Sequence, residues 1–394
     1  MTKKNKMIFI SKLVFFTEDN ELIEENLKFA DLFYEKDIYL RIVARKSTIN
    51  ILQNKIPKEY KDKIKLLDRS SETKDKIKVL KKKGALFGMI GIVQEDAIFA
   101  FNCKIPLFNP ERLNSGRVVI SDKVKQYGLP IIEFQDVVDC LKAFEIHKAN
   151  YFHMCFEDNF SVISLNNANT HHRPEKEARV KQIFETNLKG DKSIRDQRIL
   201  LLLLFHLINE VTTNPYFDKI DYWGTFPSSK PDNTVTSVSF LKEALRVLID
   251  GKPRRGPEIL IRQMPMRSKH NSSSTLRLIN KSDKDFDTLI VNPALVDKIK
   301  GKVICIIDDY ITNGYSAESA KHLLFAAGAK EVIFLSFGKF GRKYHSTNYQ
   351  IKGDVSKKYS YQFVDEIPYG DTFKGVKYYN LDNDLEILDF ADLV

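Results

Sequence analysis

Asp308 and Asp309 stand side by side behind the apolar run Val303–Ile307, and Thr312, Asn313, Gly314, Tyr315 and Ser316 follow closely. Two adjacent carboxylates can accept hydrogen bonds from neighbouring sugar hydroxyls. A loop that opens a helix presents backbone N–H groups; here Thr312 and Ser316 add hydroxyls, and Gly314 lets the main chain approach closely, so the loop can wrap a phosphate. Acids for a ribose and a hydroxyl-glycine loop for a phosphate, this tightly spaced, describe a site for ribose 5-phosphate. An ordinary helix-capping loop would account for the acids but not for the composite pattern in its context.

Such a site has to be carried by a buried strand and a helix. Val303–Ile307 is continuously apolar, as expected of a strand covered on both faces. Ala317–Ala327 reads as an amphipathic helix closed by Gly328 in a left-handed cap, and Val332–Phe337 as the next strand. Open parallel sheets take ligands outside the carboxyl ends of their strands, where the spacing places Asp308 and Asp309.

The run from Val303 to Ser316 resembles the signature of type I phosphoribosyltransferases: an apolar strand, paired acids, two variable residues, Thr-Thr-Gly, one residue, then Thr or Ser. Asn313 replaces the second threonine and keeps a backbone N–H and a polar tip. The resemblance implies catalytic roles for Asp308 and Asp309, a 5-phosphate grip by Thr312–Ser316, and phosphoribosyl pyrophosphate or a nucleotide as ligand. It also implies Mg²⁺, bridging pyrophosphate and ribose hydroxyls and so touching the two acids only indirectly. In the competence-associated branch a strand-end loop contacts pyrophosphate, and Ser228, Ser229 and Lys230 occupy the corresponding place. Leu260-Ile261-Arg262, the polar stretch 266–275, and Arg277 with Asn280 resemble that branch's hood, a lid able to bring charge onto pyrophosphate. Asn169–Pro174 lies where the acceptor base is usually recognised, which makes His171, His172 and Arg173 acceptor candidates; an exposed loop is the bland alternative. Adjacent histidines do not share a strand face, and without a carboxylate or third ligand no metal site is expected there.

The first 145 residues alternate strand-like and helical runs: Met7–Phe16, Glu21–Tyr34, Ile38–Val43, Lys74–Lys83, Met89–Val93, Asp96–Asn102 and Ile105–Phe108. That alternation predicts a doubly wound, mostly parallel sheet. Gly91–Asp96 and Lys104–Phe108 resemble the last conserved turn of haloacid-dehalogenase-like hydrolases. That family ends its first strand in two aspartates, the first a nucleophile; here the register Val14-Phe15-Phe16-Thr17-Glu18 puts Phe16 in its place. A phenyl ring cannot attack phosphorus, so the domain is expected to be an inactive scaffold. Joined to a transferase module, it resembles proteins of bacterial stress and phage-defence operons, which implies a protein partner, a homo-oligomer or a nucleic-acid partner.

At 394 residues and 43% hydrophobic content the chain can fill two cores. The expectation is an α/β protein with a first domain over 1–145, a transferase domain over 146–340 including a lead-in segment, and a C-terminal piece over 341–394. The +10 charge, from 62 basic and 52 acidic residues, permits a nucleic-acid partner without demanding one; the lysines of Lys61–Lys83 read as a solvated helix face. Cys103, Cys140, Cys155 and Cys305 lie far apart and read as thiols of a reducing cytoplasm. Ile199–Ile208 is a core helix, about half the length that spans a bilayer, so no membrane is expected.

Overall fold

A computed structural model describes residues 5–113, 118–143, 150–156, 159–189, 196–231, 235–250, 256–266, 281–370, 377–379, 390–391 and 394. The fold is α/β. Its first sheet orders six parallel strands as β3 (Ile64–Asp68), β2 (Ile38–Ala44), β1 (Lys6–Ser11), β4 (Leu86–Ile90), β5 (Leu107–Asn109) and β6 (Leu129–Pro130). The helices between and after them are α1 (Lys12–Phe15), α2 (Leu27–Glu35), α3 (Lys46–Lys55), α4 (Ser71–Lys82), α5 (Gln94–Cys103), α6 (Asp122–Tyr127) and α7 (Phe134–Ala143).

The first strand is shorter than its apolar run. Met7–Phe16 reads as one strand, but β1 stops at Ser11 and the chain turns into α1, where Phe16 N–H donates to the Lys12 carbonyl at 2.8 Å. Phe15 and Phe16 bury their rings from this turn. An unbroken apolar run cannot by itself distinguish a strand from a buried helical turn. Ser11, not Phe16, therefore stands at the carboxyl end of β1.

The second sheet is mixed. In space its strands run β16 (Lys377–Tyr379), β7 (Phe152–Phe156), β8 (Phe160–Asn167), β13 (Glu331–Lys339), β12 (Val303–Ile311) and β9 (Tyr222–Thr225). The four from β8 to β9 are parallel, β7 is antiparallel to β8, and β16 is antiparallel to β7. Its helices are α8 (Glu175–Lys189), α9 (Gln197–Thr213), α10 (Ser237–Asp250), α11 (Asp283–Phe286), α12 (Val296–Ile299) and α13 (Tyr315–Ala326). Two small antiparallel pairs complete the fold, β10 (Leu260–Arg262) with β11 (Leu289–Val291), and the hairpin of β14 (Tyr344–Gly353) with β15 (Tyr359–Tyr369).

Two hydrophobic cores form, but they do not divide between the two sheets. One joins the first sheet to the face of the second that carries Val303, Cys305 and Ile307; the other fills the opposite face under α13 and the hairpin. Helix α9 is the joint. Its run Ile199–Ile208 is buried on all sides because the helix lies between the sheets, with Phe205 against Phe108 at 5.2 Å. Among the described residues no helix is long and apolar enough to cross a membrane.

Candidate functional site

The structure extends β12 beyond the strand read from sequence. It continues through Asp308 and Asp309 to Ile311, still paired with β13 as far as Lys339. On its other side β9 ends at Thr225 opposite Ile307, and Phe226 N–H makes the last contact, 2.9 Å to the Ile307 carbonyl. The acids therefore emerge where β12 loses one neighbour. The side-chain alternation also slips there: Val303, Cys305 and Ile307 face one core and Ile304 and Ile306 the other, yet Tyr310 packs on the first and Ile311 on the second. Both acids are half-buried. Asp309 N–H donates to the Asp308 carboxylate at 2.8 Å, and Tyr310 N–H to the Asp309 carboxylate at 2.6 Å, which fixes their orientation at the sheet edge.

The loop from Thr312 to Ser316 is braced from behind by side chains that the motif does not contain. Lys339, at the end of β13 and fully buried, donates to the carbonyls of Thr312 at 2.6 Å, Phe340 at 3.1 Å and Lys343 at 2.8 Å; burial pushes its ammonium down to about 7. His345 N–H donates to the Asn313 carbonyl at 2.9 Å. Tyr315 lies buried at the start of α13, and its hydroxyl donates to Glu366 on β15 at 3.0 Å. Glu366 also receives His345 Nδ1 and, at 2.8 Å, Lys281 Nζ; those donors hold its carboxyl below the usual range although burial opposes the shift. Burial raises the Tyr315 hydroxyl above its ordinary value, and Glu366 adds to that.

Gly314 has a second reason beside the one read in sequence. Its φ is +94°, and a Cβ there would lie 2.4 Å from the Tyr344 ring. Tyr344, fully buried on β14, is held by its hydroxyl donating to Glu318 at 2.7 Å, and buried Glu318 also takes Thr347 N–H at 2.9 Å and pairs with Lys321 at 2.6 Å. The hairpin is the back wall of the loop.

The segment after β9 reaches the same edge. Arg262, from β10, donates to the Ser228 carbonyl at 2.7 Å, to Thr288, and to Asp285 at 3.1 Å, with Arg262 and Asp285 both buried. Asp285 takes the Ser319 hydroxyl at 3.3 Å, whose other bond, 2.7 Å, goes to the Tyr315 carbonyl. One buried chain of polar contacts thus links the loop holding Ser228 and Ser229 to the loop holding Tyr315. Ser228 Oγ donates to the Lys230 carbonyl at 2.8 Å, and Lys230 is exposed. Arg262, grouped with the hood by sequence, is a buried brace.

His171, His172 and Arg173 follow β8 on this carboxyl edge, separated from β12 by β13, about two strand spacings or ~10 Å. The histidines are exposed, their rings 3.9 Å apart, and Arg173 lies 3.8 Å from Glu177. Buried Lys181 holds the loop by the Asn169 carbonyl at 2.9 Å. Arg277, Asn280 and stretch 267–275 of the expected lid lie outside the described residues. Among the described residues no three His, Cys, Asp or Glu side chains gather as a metal site would require. Asp308 and Asp309 are hard oxygen donors of the kind Mg²⁺ takes, but two carboxylates leave most of its coordination to ligand oxygens and water.

Comparison with known proteins finds no family model that matches the chain, and no curated protein or solved structure that matches it.

Proposed function

We propose that the chain binds phosphoribosyl pyrophosphate at the carboxyl edge of its second sheet and transfers the phosphoribosyl group to a nitrogen nucleophile, releasing pyrophosphate. The observation that carries this reading is convergence. Paired carboxylates, a hydroxyl-bearing loop opening α13, and the Ser228–Lys230 loop share one edge, and the two loops are tied by the Arg262–Asp285–Ser319 contacts.

In this reading Asp308 and Asp309 accept from the ribose hydroxyls, while Thr312, Asn313, Gly314, Tyr315 and Ser316 hold the 5-phosphate through backbone N–H groups and hydroxyls. As the anomeric bond breaks, positive charge grows on the sugar close to the two carboxylates, which stabilise it electrostatically. Ser228, Ser229 and Lys230 would meet the leaving pyrophosphate, a role the resemblance also gives to Arg277. When bound, Mg²⁺ would offset charge on that group. His171, His172 and Arg173 would meet the acceptor.

A second reading keeps the ligand and drops the turnover: a ribose-phosphate or nucleotide sensor in a stress or phage-defence system. It is favoured by the first sheet, where Ser11-Lys12-Leu13 ends β1 without a carboxylate, so a hydrolase-like scaffold there lacks a nucleophile.

Asp308→Asn with Asp309→Asn separates binding from folding. Each charge-assisted bond lost costs roughly 1.5–3 kcal/mol, so affinity for phosphoribosyl pyrophosphate with Mg²⁺ should fall by at least about a hundredfold while the melting temperature without ligand changes little. Pyrophosphate release with a panel of bases then decides between transferase and sensor. If phosphoribosyl pyrophosphate, ribose 5-phosphate and nucleoside monophosphates all leave the wild-type melting temperature unmoved, both readings fail.

A further inference from the structure

The positive charge of the chain is concentrated. Residues 58–83 hold 11 basic and five acidic side chains, +6 of the total +10, which marks one region as the electrostatic footprint. The sequence suggests a single solvated helix face for these lysines, but the fold distributes them over the approach to β3, β3 itself and α4. Helix α4 returns the chain to the amino edge of the first sheet, opposite the carboxyl edge at which open α/β sheets take small ligands.

Three side chains of the sheet share one face at that amino edge. Register sets Tyr39 beside Met7, Arg41 beside Phe9 and Lys65 beside Arg41, on the face where Phe9 meets Phe99 of α5 with ring centroids 5.5 Å apart. Helix α4 packs beside α5 on the same face, yet Tyr39 stays 52% exposed and Lys65 is exposed, so the amino halves of β2 and β3 are left uncovered there. Arg41 donates to the Leu40 carbonyl at 2.9 Å and holds its guanidinium 5.7 Å from the Tyr39 ring centroid, a cation–π contact that steadies the ring.

Lysines border this face. Lys78, Lys82 and Lys83 are exposed on and just after the last turns of α4. Phe87 of β4, Met7 and Tyr39 stand in one row across three strands, so the start of β4, just after Lys83, is two strand spacings or ~10 Å from Tyr39. Lys81 donates to the carbonyls of Cys103, at 3.2 Å, and Lys104, which brings exposed Lys104 to the same edge; burial pushes the Lys81 ammonium down to about 8, and the Lys104 charge adds to that. Asp37 and Asp62 also reach this edge, Asp62 at 3.7 Å from Lys65, and leave the cations in excess.

We propose that this surface binds single-stranded nucleic acid, with a base stacked on Tyr39 and backbone phosphates on Lys65, Lys78, Lys82 and Lys83. Charge alone would fit any polyanion. The ring selects among them, because every base has a π-face to lay on a tyrosine and a single strand leaves its bases open to it. The ~10 Å from Tyr39 to the start of β4 spans about three nucleotides at the ~3.4 Å rise of a stacked strand. The surface lies on a different sheet from the proposed phosphoribosyl site and does not rest on it.

The test titrates the full-length protein with fluorescein-labelled oligo(dT) and oligo(U) of about 12 nucleotides, followed by anisotropy at about 50 and 200 mM salt, with the Asp308→Asn/Asp309→Asn protein alongside. Saturable binding should persist in that double variant and weaken roughly a hundredfold between the two salt concentrations, as contact with about five phosphates requires. Tyr39→Ala should weaken binding about fivefold or more, while Tyr39→Phe, which keeps the ring, retains it. Lys82→Gln with Lys83→Gln should flatten the logarithmic salt slope by about 1.4. These side chains are exposed, so the melting temperatures of all three variants should match the wild type. Absence of saturable binding at the lower salt overturns the proposal, as does binding that Tyr39→Ala and the lysine pair leave unchanged, or binding lost in the Asp308→Asn/Asp309→Asn protein. A duplex of the same length, polyglutamate or phosphatidylserine vesicles binding as tightly as the single strand overturns the assignment of the partner.

Discussion

Gly314→Ala tests whether the C-terminal hairpin shapes the loop from Thr312 to Ser316. The substitution meets two obstacles, the positive φ of +94° and the Tyr344 ring 2.4 Å from the new Cβ. Gly301 offers a matched control: its φ is +72°, yet nothing lies within 4 Å of a Cβ built there. The left-handed backbone costs an alanine about 1–2 kcal/mol, partly offset by about 0.4–1 kcal/mol from a less flexible unfolded chain. Gly301→Ala should therefore cost about 1 kcal/mol. At Gly314 the ring cannot simply swing away, because Tyr344 is fully buried and anchored to Glu318. Carbon atoms pack best at roughly 3.5–4.0 Å, so loop or hairpin must shift by about an ångström, and overpacking of this kind costs about 1–3 kcal/mol more. Urea unfolding of both variants reads the difference directly, and titration with phosphoribosyl pyrophosphate reads the displaced loop. A Gly314→Ala variant within ~0.5 kcal/mol of Gly301→Ala would refute the role given to the hairpin, because the two share the backbone cost and differ in Tyr344.

Two other perturbations probe the braces behind the loops. Arg262→Met strands the Asp285 carboxylate in the interior and should cost about 3–5 kcal/mol in urea unfolding, with Asp285→Leu added to it recovering much of the loss; a single-variant cost under ~1 kcal/mol would contradict the buried pair. Lys339 has its folded-state value lowered from 10.5 to about 7, so between those values the unfolded chain binds the extra proton and its contribution to stability rises with pH. The stability difference between wild type and Lys339→Met should accordingly shift in favour of the wild type from pH 7 to pH 10, by less than a ceiling of ~5 kcal/mol because the three carbonyl acceptors favour the ammonium; a difference flat across that range would rule the titration out.

What the sequence reveals here follows the range of the interactions. The strand, loop and helix around Asp308–Ser316 are legible because their causes are local: an apolar run, a glycine at each end of the helix, hydroxyls at fixed spacing. Gly328 takes its left-handed conformation at φ +85°, and α9 stops before Pro215, both as short-range rules require. Phe16 misleads for a local reason too, since rings at Phe15 and Phe16 continue the apolar pattern of β1 through a turn that buries them. The residues that hold the loop in place leave no such trace. Tyr344 lies thirty positions beyond Gly314 and Glu366 fifty-one beyond Tyr315, and in a polar, tyrosine-rich segment neither differs in type from its neighbours. Arg262 is the instructive case. On a short strand before a polar stretch it looks like a charge meant for the ligand, whereas the fold turns it inward onto Asp285 and the Ser228 carbonyl. A buried guanidinium needs acceptors on several sides at once, and a carboxylate and a hydroxyl from one segment with a backbone carbonyl from another satisfy it only once the chain has closed around them. The acids and hydroxyls of Asp308–Ser316 can be read from spacing; the groups that hold them still have to be read from the fold.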